Sequence, residues 1–212
     1  MLVFTVCHPS QLSNAHVLGD SLMSSNPEVE FLIGLCGDVN INTKFKIVEL
    51  PKLIPNFKDL ALKFDESELL SVCKTFLFKN LIDDNYSDNY IFFDCQSVVL
   101  QSLDCIAAEF ANNNLLITPQ ILHSSVHPDE KQILNSGIFH AGFIGVNNSE
   151  ESKKFINWWY ANTFKKGYRS LCKGLNQDQL WLELAPTLFE GVKIIKLDGL
   201  NIGKWNHLER ML

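Results

Sequence analysis

The sequence has no pair of cysteines at Cys-x-x-Cys spacing, no Gly/Ser-rich linker, no internal repeat and no low-complexity segment. Without the first, a zinc site or disulfide framework loses its usual signature. The six cysteines, Cys7, Cys36, Cys73, Cys95, Cys105 and Cys172, lie mostly inside apolar runs and read as buried free thiols in a reducing compartment. Without linkers or repeats, 212 residues that are 46% hydrophobic read as one domain with one sizeable core. Nothing approaches the ~18–20 apolar residues that cross a bilayer, and the opening MLVFTV lacks the basic start and the length of a signal peptide. The expectation is a soluble cytoplasmic protein. Positive charge is scarce, with 18 Lys and Arg against 24 Asp and Glu and a formal net charge of −6. That balance argues against a nucleic-acid partner, although a single cleft can still be locally basic. No P-loop, dinucleotide-binding fingerprint, Ser/His/Asp triad or catalytic-cysteine signature can be defended from spacing.

What is present is an alternation of strand-like and helix-like segments. LVFTVC (2–7) is a short apolar run stopped by His8-Pro9-Ser10. In QLSNAHVLGDSLMSS, Leu12, Ala15, Leu18 and Leu22 share one helical face, with Ser10 as the N-cap and Asn26-Pro27 as the stop. VEFLIGLC (29–36) and FKIVEL (45–50) read as strands, and residues 65–82 as a helix carrying Leu69, Val72, Cys73, Phe76 and Leu77. Then come the strand YIFFD, a helix near 103–112, the strand LLIT ending at Pro119, and the Gly-rich strand GIFHAGFIGV (137–146). Ser149 caps a helix over 149–164, QDQLWLELAPTLF (177–189) reads as a helix interrupted at Pro186, and VKIIKL (192–197) as a last strand. This alternation predicts an α/β fold on a mostly parallel sheet flanked by helices. Ligands of such sheets sit at the carboxyl ends of the strands, where Cys7-His8, Cys36-Asp38, Asp94 and Thr118-Pro119 fall.

Four stretches carry possible chemistry. Asp94, closing YIFFD, reads as a turn or cap residue, or as a ligand for Mg²⁺ or Mn²⁺ bridging substrate phosphates. In the second reading Gln96, two residues on and on the same side of an extended segment, supplies a neutral oxygen where a second carboxylate would neutralise the cation. Glycines 137, 142 and 145 mark bulges in a strand, or let the backbone approach a sugar or phosphate. NQDQLW (176–181) is a helix cap with a dipole-favourable Asp178, or places Asp178 and Gln179 on sugar hydroxyls. LNIGKWNHLER (200–210) is dense in Asn, Trp, His and Arg; Trp158, Trp159, Trp181 and Trp205 are most simply core aromatics, but the polar flanks of Trp205 suit a site.

Taken in order, these stretches resemble GT-A-type nucleotide-sugar-dependent glycosyltransferases, especially bacterial relatives of the family containing glycogenin and lipopolysaccharide galactosyltransferases. TVCHPSQLSNAHVLGDSL resembles the opening strand and helix, and YIFFDCQSVVLQSLD the metal-site strand written LDPDI or LDADI. LLITPQ resembles a TPH stretch and GIFHAGFIGV the sugar-contacting FNAG or YNSGF. FINWWYANTF, NQDQLWLELAPTLF and LDGLNIGKWNHLER resemble the stretches that follow. The resemblance runs from near residue 3 to residue 210. It implies a single GT-A domain with a nucleotide-binding part over roughly 1–100 and a sugar and acceptor part over roughly 101–212. The implied reaction moves a sugar, with retention of configuration, from a nucleotide-diphosphate donor to a saccharide acceptor, in surface polysaccharide or lipopolysaccharide synthesis. Implied donor contacts are Thr5, Cys7, Asp38, Lys74, Asp94, His140, Ala141 and Gly142, and the implied catalytic pair is Asp178 and Gln179. Asn201, Trp205 and Asn206 would line the acceptor side. Asp94 and Gln96 would hold Mn²⁺ or Mg²⁺ in a weakened site, with Lys204, Lys74 or Arg210 offsetting a missing cation. Gln96, Gln120 and His140 depart from the pattern, which motivates the alternative of a catalytically silent fold that binds nucleotide or glycan.

Overall fold

The structure, a computed structural model, describes residues 1–38, 43–124 and 128–210. The apolar runs form strands β1 (Leu2–Cys7), β2 (Glu30–Leu35), β3 (Lys46–Glu49), β4 (Asn89–Phe93), β5 (Leu115–Pro119) and β6 (Phe139–Asn147). A two-residue ribbon pairs β7 (Arg169–Ser170) with β8 (Leu175–Asn176), and β9 (Val192–Ile194) ends the series. Seven of these make one sheet in the order β3-β2-β1-β4-β6-β5-β9. Four of its neighbouring pairs are parallel, and only β6 runs antiparallel to both neighbours.

Helices cover both faces. α1 (Leu12–Ser25) buries Leu12, Ala15, Leu18 and Leu22, the face read from the sequence. α2 (Leu50–Leu53) and α3 (Phe57–Lys63) are short connectors. α4 (Glu66–Asp83) starts at Asp65, whose side chain accepts the Glu68 N–H in a capping box. α5 (Asp104–Ala107) and α6 (Glu130–Ser136) are brief, α7 (Glu150–Lys166) is capped by Ser149, and α8 is Ala185–Leu188. Strand alternation divides the core into two layers: Leu2, Phe4 and Val6 of β1 pack with α4 and α7, while Val3 and Cys7 pack with α1 and α5.

Several local expectations are corrected. Ser10 is not the N-cap of α1; His8 caps a 3₁₀ turn over Pro9–Gln11, and α1 begins after it with no side-chain cap. The helix near 103–112 breaks into α5 and a 3₁₀ turn at Ala108–Ala111. Residues 177–189 form a 3₁₀ segment, Leu180–Leu184, followed by α8. Pro186 lies in the first turn of α8, where its missing N–H costs nothing, so it starts a helix rather than interrupting one. All six cysteines are free, but Cys105 and Cys172 are exposed. Among the described residues, no helix is long and apolar enough to cross a membrane.

The reversed strand decides where chemistry collects. Because β6 is antiparallel, its amino-terminal residues lie at the same edge as the carboxyl ends of β1, β2, β4 and β5. The chain leaving β9 reaches this edge too, since β9 is parallel to β5.

Candidate functional site

At the carboxyl end of β4 the Asp94 N–H donates to Gly142 O of β6 (2.8 Å), and Asp94 Oδ1 accepts the Gln96 N–H (2.9 Å) in a tight turn. Both side chains are exposed. Asp94 is thus held by backbone bonds with one carboxylate oxygen committed to the turn, and Gln96 projects from the same turn. Among the described residues no group of three or more His, Cys, Asp or Glu could hold a metal ion. This donor set nevertheless fits Mg²⁺ or Mn²⁺ delivered with a diphosphate, because such cations are commonly bound by one or two carboxylates plus substrate phosphates. It does not fit tight binding of the bare ion.

His140 and Trp205 meet one step away. Their ring centroids lie 4.8 Å apart at an interplanar angle of 32°. A Cβ on Gly142 would collide with the imidazole, and one on Gly203 with the indole, so these two glycines permit the packing. The Gly142 N–H donates to His140 Nδ1 (3.1 Å). Burial, seconded by the Lys74 ammonium, pulls the His140 pKa down to about 4 against the pull of Asp94, Asp178 and a hydrogen bond with Asn201. The ring is neutral at pH 7.

On the inner side of β6 lies a buried ion pair. Lys74 Nζ of α4 stands 2.5 Å from Asp178 Oδ2, with side-chain exposures of 8% and 3%, so both charges are inside the protein. Lys74 also donates to Ala141 O (2.9 Å) and sits over the Phe92 ring, while Trp159 Nε1 donates to Asp178 O (2.8 Å). Gln179 Oε1 accepts from the Ala141 N–H (3.3 Å) and Gln179 Nε2 donates to Ser136 O (2.8 Å). Of the expected catalytic pair, Gln179 therefore holds the Ala141 N–H directly, whereas Asp178 reaches the Ala141 carbonyl only through Lys74. Sequence reasoning missed Glu183, whose carboxylate accepts the N–H groups of Ile138 (2.5 Å) and Phe139 (3.1 Å) where β6 begins. Desolvation raises its pKa, opposed by those two N–H bonds. Its position one turn after Gln179 is the signal that could have marked it.

The segment after β9 is fastened to the exit of β5. Trp205 Nε1 (3.2 Å) and Asn206 Nδ2 (2.7 Å) both donate to Gln120 O, while the Gln120 amide donates to Ser136 Oγ and Gly137 O. Arg210 is buried and donates to the carbonyls of Pro119, Leu200 and Leu197. Neither Lys74 nor Arg210 is thus free to replace a cation at the diphosphate, and Lys204 is exposed. Asn201, Trp205 and Asn206 reach the edge that also carries His140, Ala141, Gly142 and Asp94. Cys7 is there as well, its thiol pushed up to about 12 by burial and the Asp94 charge. Thr5 is not: it is fully buried two residues inside β1 with its hydroxyl unpartnered. Asp38 is exposed beyond the end of β2. A surface groove of about 460 Å³ lined by Met23, Phe31, Phe45 and Lys44 lies at the opposite edge, at the start of β2 and β3, away from these groups.

No protein-family model and no curated protein matches the chain. Solved structures do. The chain is similar to the galactosyltransferase LgtC in complex with donor and acceptor sugar analogs, at a TM-score of 0.58 and 15% identity over 92% of this chain and 73% of that one. It is similar to a glycosyltransferase involved in the glycosylation of the major capsid of PBCV-1, at a TM-score of 0.57 and 8% identity over 94% and 83%. A third is the glycosyltransferase GlyE of Streptococcus pneumoniae, at a TM-score of 0.54 and 14% identity over 92% and 45%. At such identities the likeness is one of fold, and the chain has the GT-A-like glycosyltransferase fold that its motifs implied.

Proposed function

We propose that this protein transfers a sugar from a nucleotide-diphosphate sugar to a saccharide acceptor. The observation that carries the reading is the convergence of Asp94, His140 and the segment Asn201–Asn206 on one sheet edge, in a fold shared with glycosyltransferases. Asp94 and Gln96 would hold Mn²⁺ or Mg²⁺ together with the donor's diphosphate. When bound, the cation supplies positive charge against the negative charge that develops as the nucleotide leaves. The remaining residues hold geometry. Lys74, Asp178 and Gln179 fix the Ala141 peptide, which sets the line of β6 beside the leaving group. His140 stays neutral and offers hydrogen bonds without adding charge.

A second reading, a fold that binds nucleotide or glycan without turnover, is favoured by one feature: the two buried cations of this region are committed to Asp178 and to backbone carbonyls, and Gln96 adds no charge. A thermal-shift titration with UDP, GDP and their hexose conjugates, with and without Mn²⁺, separates the two. At a ligand concentration of 100 Kd the stabilisation is about 2.7 kcal/mol, which raises Tm by roughly 5–10 °C for a chain of this size. A shift that grows with Mn²⁺, together with slow donor hydrolysis, supports the enzyme. Binding without turnover supports the second reading, and no response to any nucleotide sinks both. Gln96→Asp is expected to tighten Mn²⁺ binding roughly tenfold by adding a full charge; unchanged Mn²⁺ affinity would show that the cation binds elsewhere.

A further inference from the structure

Between Glu151 and Asp178 the sequence has no acidic residue, and most cations of that stretch gather at one end of it. Lys165 and Lys166 close α7, Arg169 starts β7, and Lys173 ends the 3₁₀ turn Leu171–Lys173 that joins β7 to β8. All four are exposed, and among the described residues none of them makes an ion pair. The carboxylates at the nearby start of α4 are engaged elsewhere: Asp65 in its capping box, Glu66 opposite His8 (3.7 Å), and Glu68 on the Arg169 N–H (2.7 Å). The turn also leaves Leu171 45% exposed, and a Cβ on Gly174 (φ +65) would meet nothing within 4 Å, so this tip stands clear of the rest of the molecule. An exposed leucine alone is ordinary. This one is held out on a braced support. Asn176 Nδ2 donates to Ser136 O (2.7 Å), Gln177 Nε2 donates to Ser67 Oγ (2.6 Å), and the Tyr168 ring packs on Phe64 at 4.9 Å.

We infer that the β7–β8 ribbon docks this protein on an anionic bilayer surface, with Lys165, Lys166, Arg169 and Lys173 against lipid phosphates and Leu171 seated among the acyl chains. The combination of groups favours a bilayer over a dissolved polyanion. A polysaccharide or a nucleic acid would engage the cations and leave Leu171 in water. A layer of charged headgroups over hydrocarbon engages both, and the two contributions add. The formal net charge of −6 helps to orient the chain, since the acidic remainder is repelled by the surface that attracts the ribbon. The inference goes beyond sugar transfer and does not depend on it. The Asn176 bond to Ser136 O, just ahead of β6, places the ribbon at the sheet edge that carries His140 and Asp94, so docking sets that edge beside the bilayer.

The test sediments the full chain with vesicles of phosphatidylcholine alone and of equal parts phosphatidylcholine and phosphatidylglycerol. Binding is expected to the anionic vesicles only, and to vanish at ~1 M salt, where the Debye length is ~3 Å. Each cation replaced by Gln is expected to weaken it about fivefold, so that Lys165→Gln with Lys166→Gln costs about 25-fold and the quadruple variant is not retained. Leu171→Gln keeps the charge and is expected to weaken binding about tenfold. Unchanged circular dichroism and Tm in these surface variants separate lost docking from lost fold. A polarity-sensitive fluorophore on the exposed Cys172, in a Cys105→Ser background, is expected to shift to the blue on anionic vesicles and not with glycerol phosphate or polygalacturonate. No binding to either vesicle, equal binding to neutral vesicles, binding that survives in the quadruple variant, or a fluorophore that stays in water while the protein sediments overturns the inference. So does tighter binding to polygalacturonate than to anionic vesicles, which would make the ribbon a glycan-binding surface.

Discussion

Cys7 and Cys95 flank Asp94 at the carboxyl edge of the sheet, and burial in the first place, then the Asp94 charge, pushes each thiol up to about 12. A thiol with so high a pKa is protonated at neutral pH and unreactive, since the thiolate is the nucleophile. Cys36 is likewise raised, chiefly by its hydrogen bond with Cys73. Cys105 and Cys172 are exposed. An aromatic disulfide reagent at pH 8 is therefore expected to modify Cys105 and Cys172 quickly and the other four cysteines only after unfolding; the double variant Cys105→Ser, Cys172→Ser should lose the fast phase. Fast reaction of Cys7 or Cys95 in the folded protein would contradict the packing around Asp94. The sequence separated these groups poorly. Cys105 follows Leu103 and precedes Ile106, an apolar context, yet only the last two are buried against the α1 face.

Helix α4 was legible from its apolar spacing, but the Asp65 cap and the role of Lys74 within it were not. Lys74 stands among Val72, Cys73, Leu77 and Phe78 on the buried face, and its counter-charge comes from Asp178, in the turn ahead of the 3₁₀ segment Leu180–Leu184. The pair joins two elements that local periodicity cannot connect. Asp178→Asn leaves a buried ammonium without a counter-charge and is expected to cost about 3–5 kcal/mol. Combining it with Lys74→Met should recover most of that loss, because the two changes share one interaction. Urea denaturation measures both. If the double variant is as unstable as the single, the pair is not what holds α4 against this turn. Pro186 teaches a similar lesson: its ring was read as a helix breaker, and the structure uses it at a helix start.

The sheet is woven across the two functional parts implied by the motifs. β6, from the second part, lies between β4 of the first and β5 of the second, and Phe143 and Ile144 of β6 enter opposite core layers. A fragment of residues 1–100 would keep β1 to β4 but lose the partner of β4 and the packing of Phe155 and Trp159 against α4. It is expected to be largely unfolded by circular dichroism and to lack dispersed amide resonances, whereas the full chain should unfold in one cooperative step. A folded fragment would mean that the division near residue 100 is a boundary of folding as well as of function.

The sequence alone determined most strands, the three long helices α1, α4 and α7, and the edge at which Cys7, Asp94 and Pro119 emerge, because apolar period and turn residues are local properties of a chain. It also marked His140, Asn201 and Trp205 as positions of interest through their neighbours. Only the tertiary structure decided that β6 runs backwards and so brings His140 to Asp94, that Lys74 faces Asp178, and that Trp205 packs on His140 rather than on a ligand alone. Each of these depends on which remote segment becomes a neighbour. Periodicity states which face of an element is apolar, but the partner of that face is selected by closure of the whole sheet.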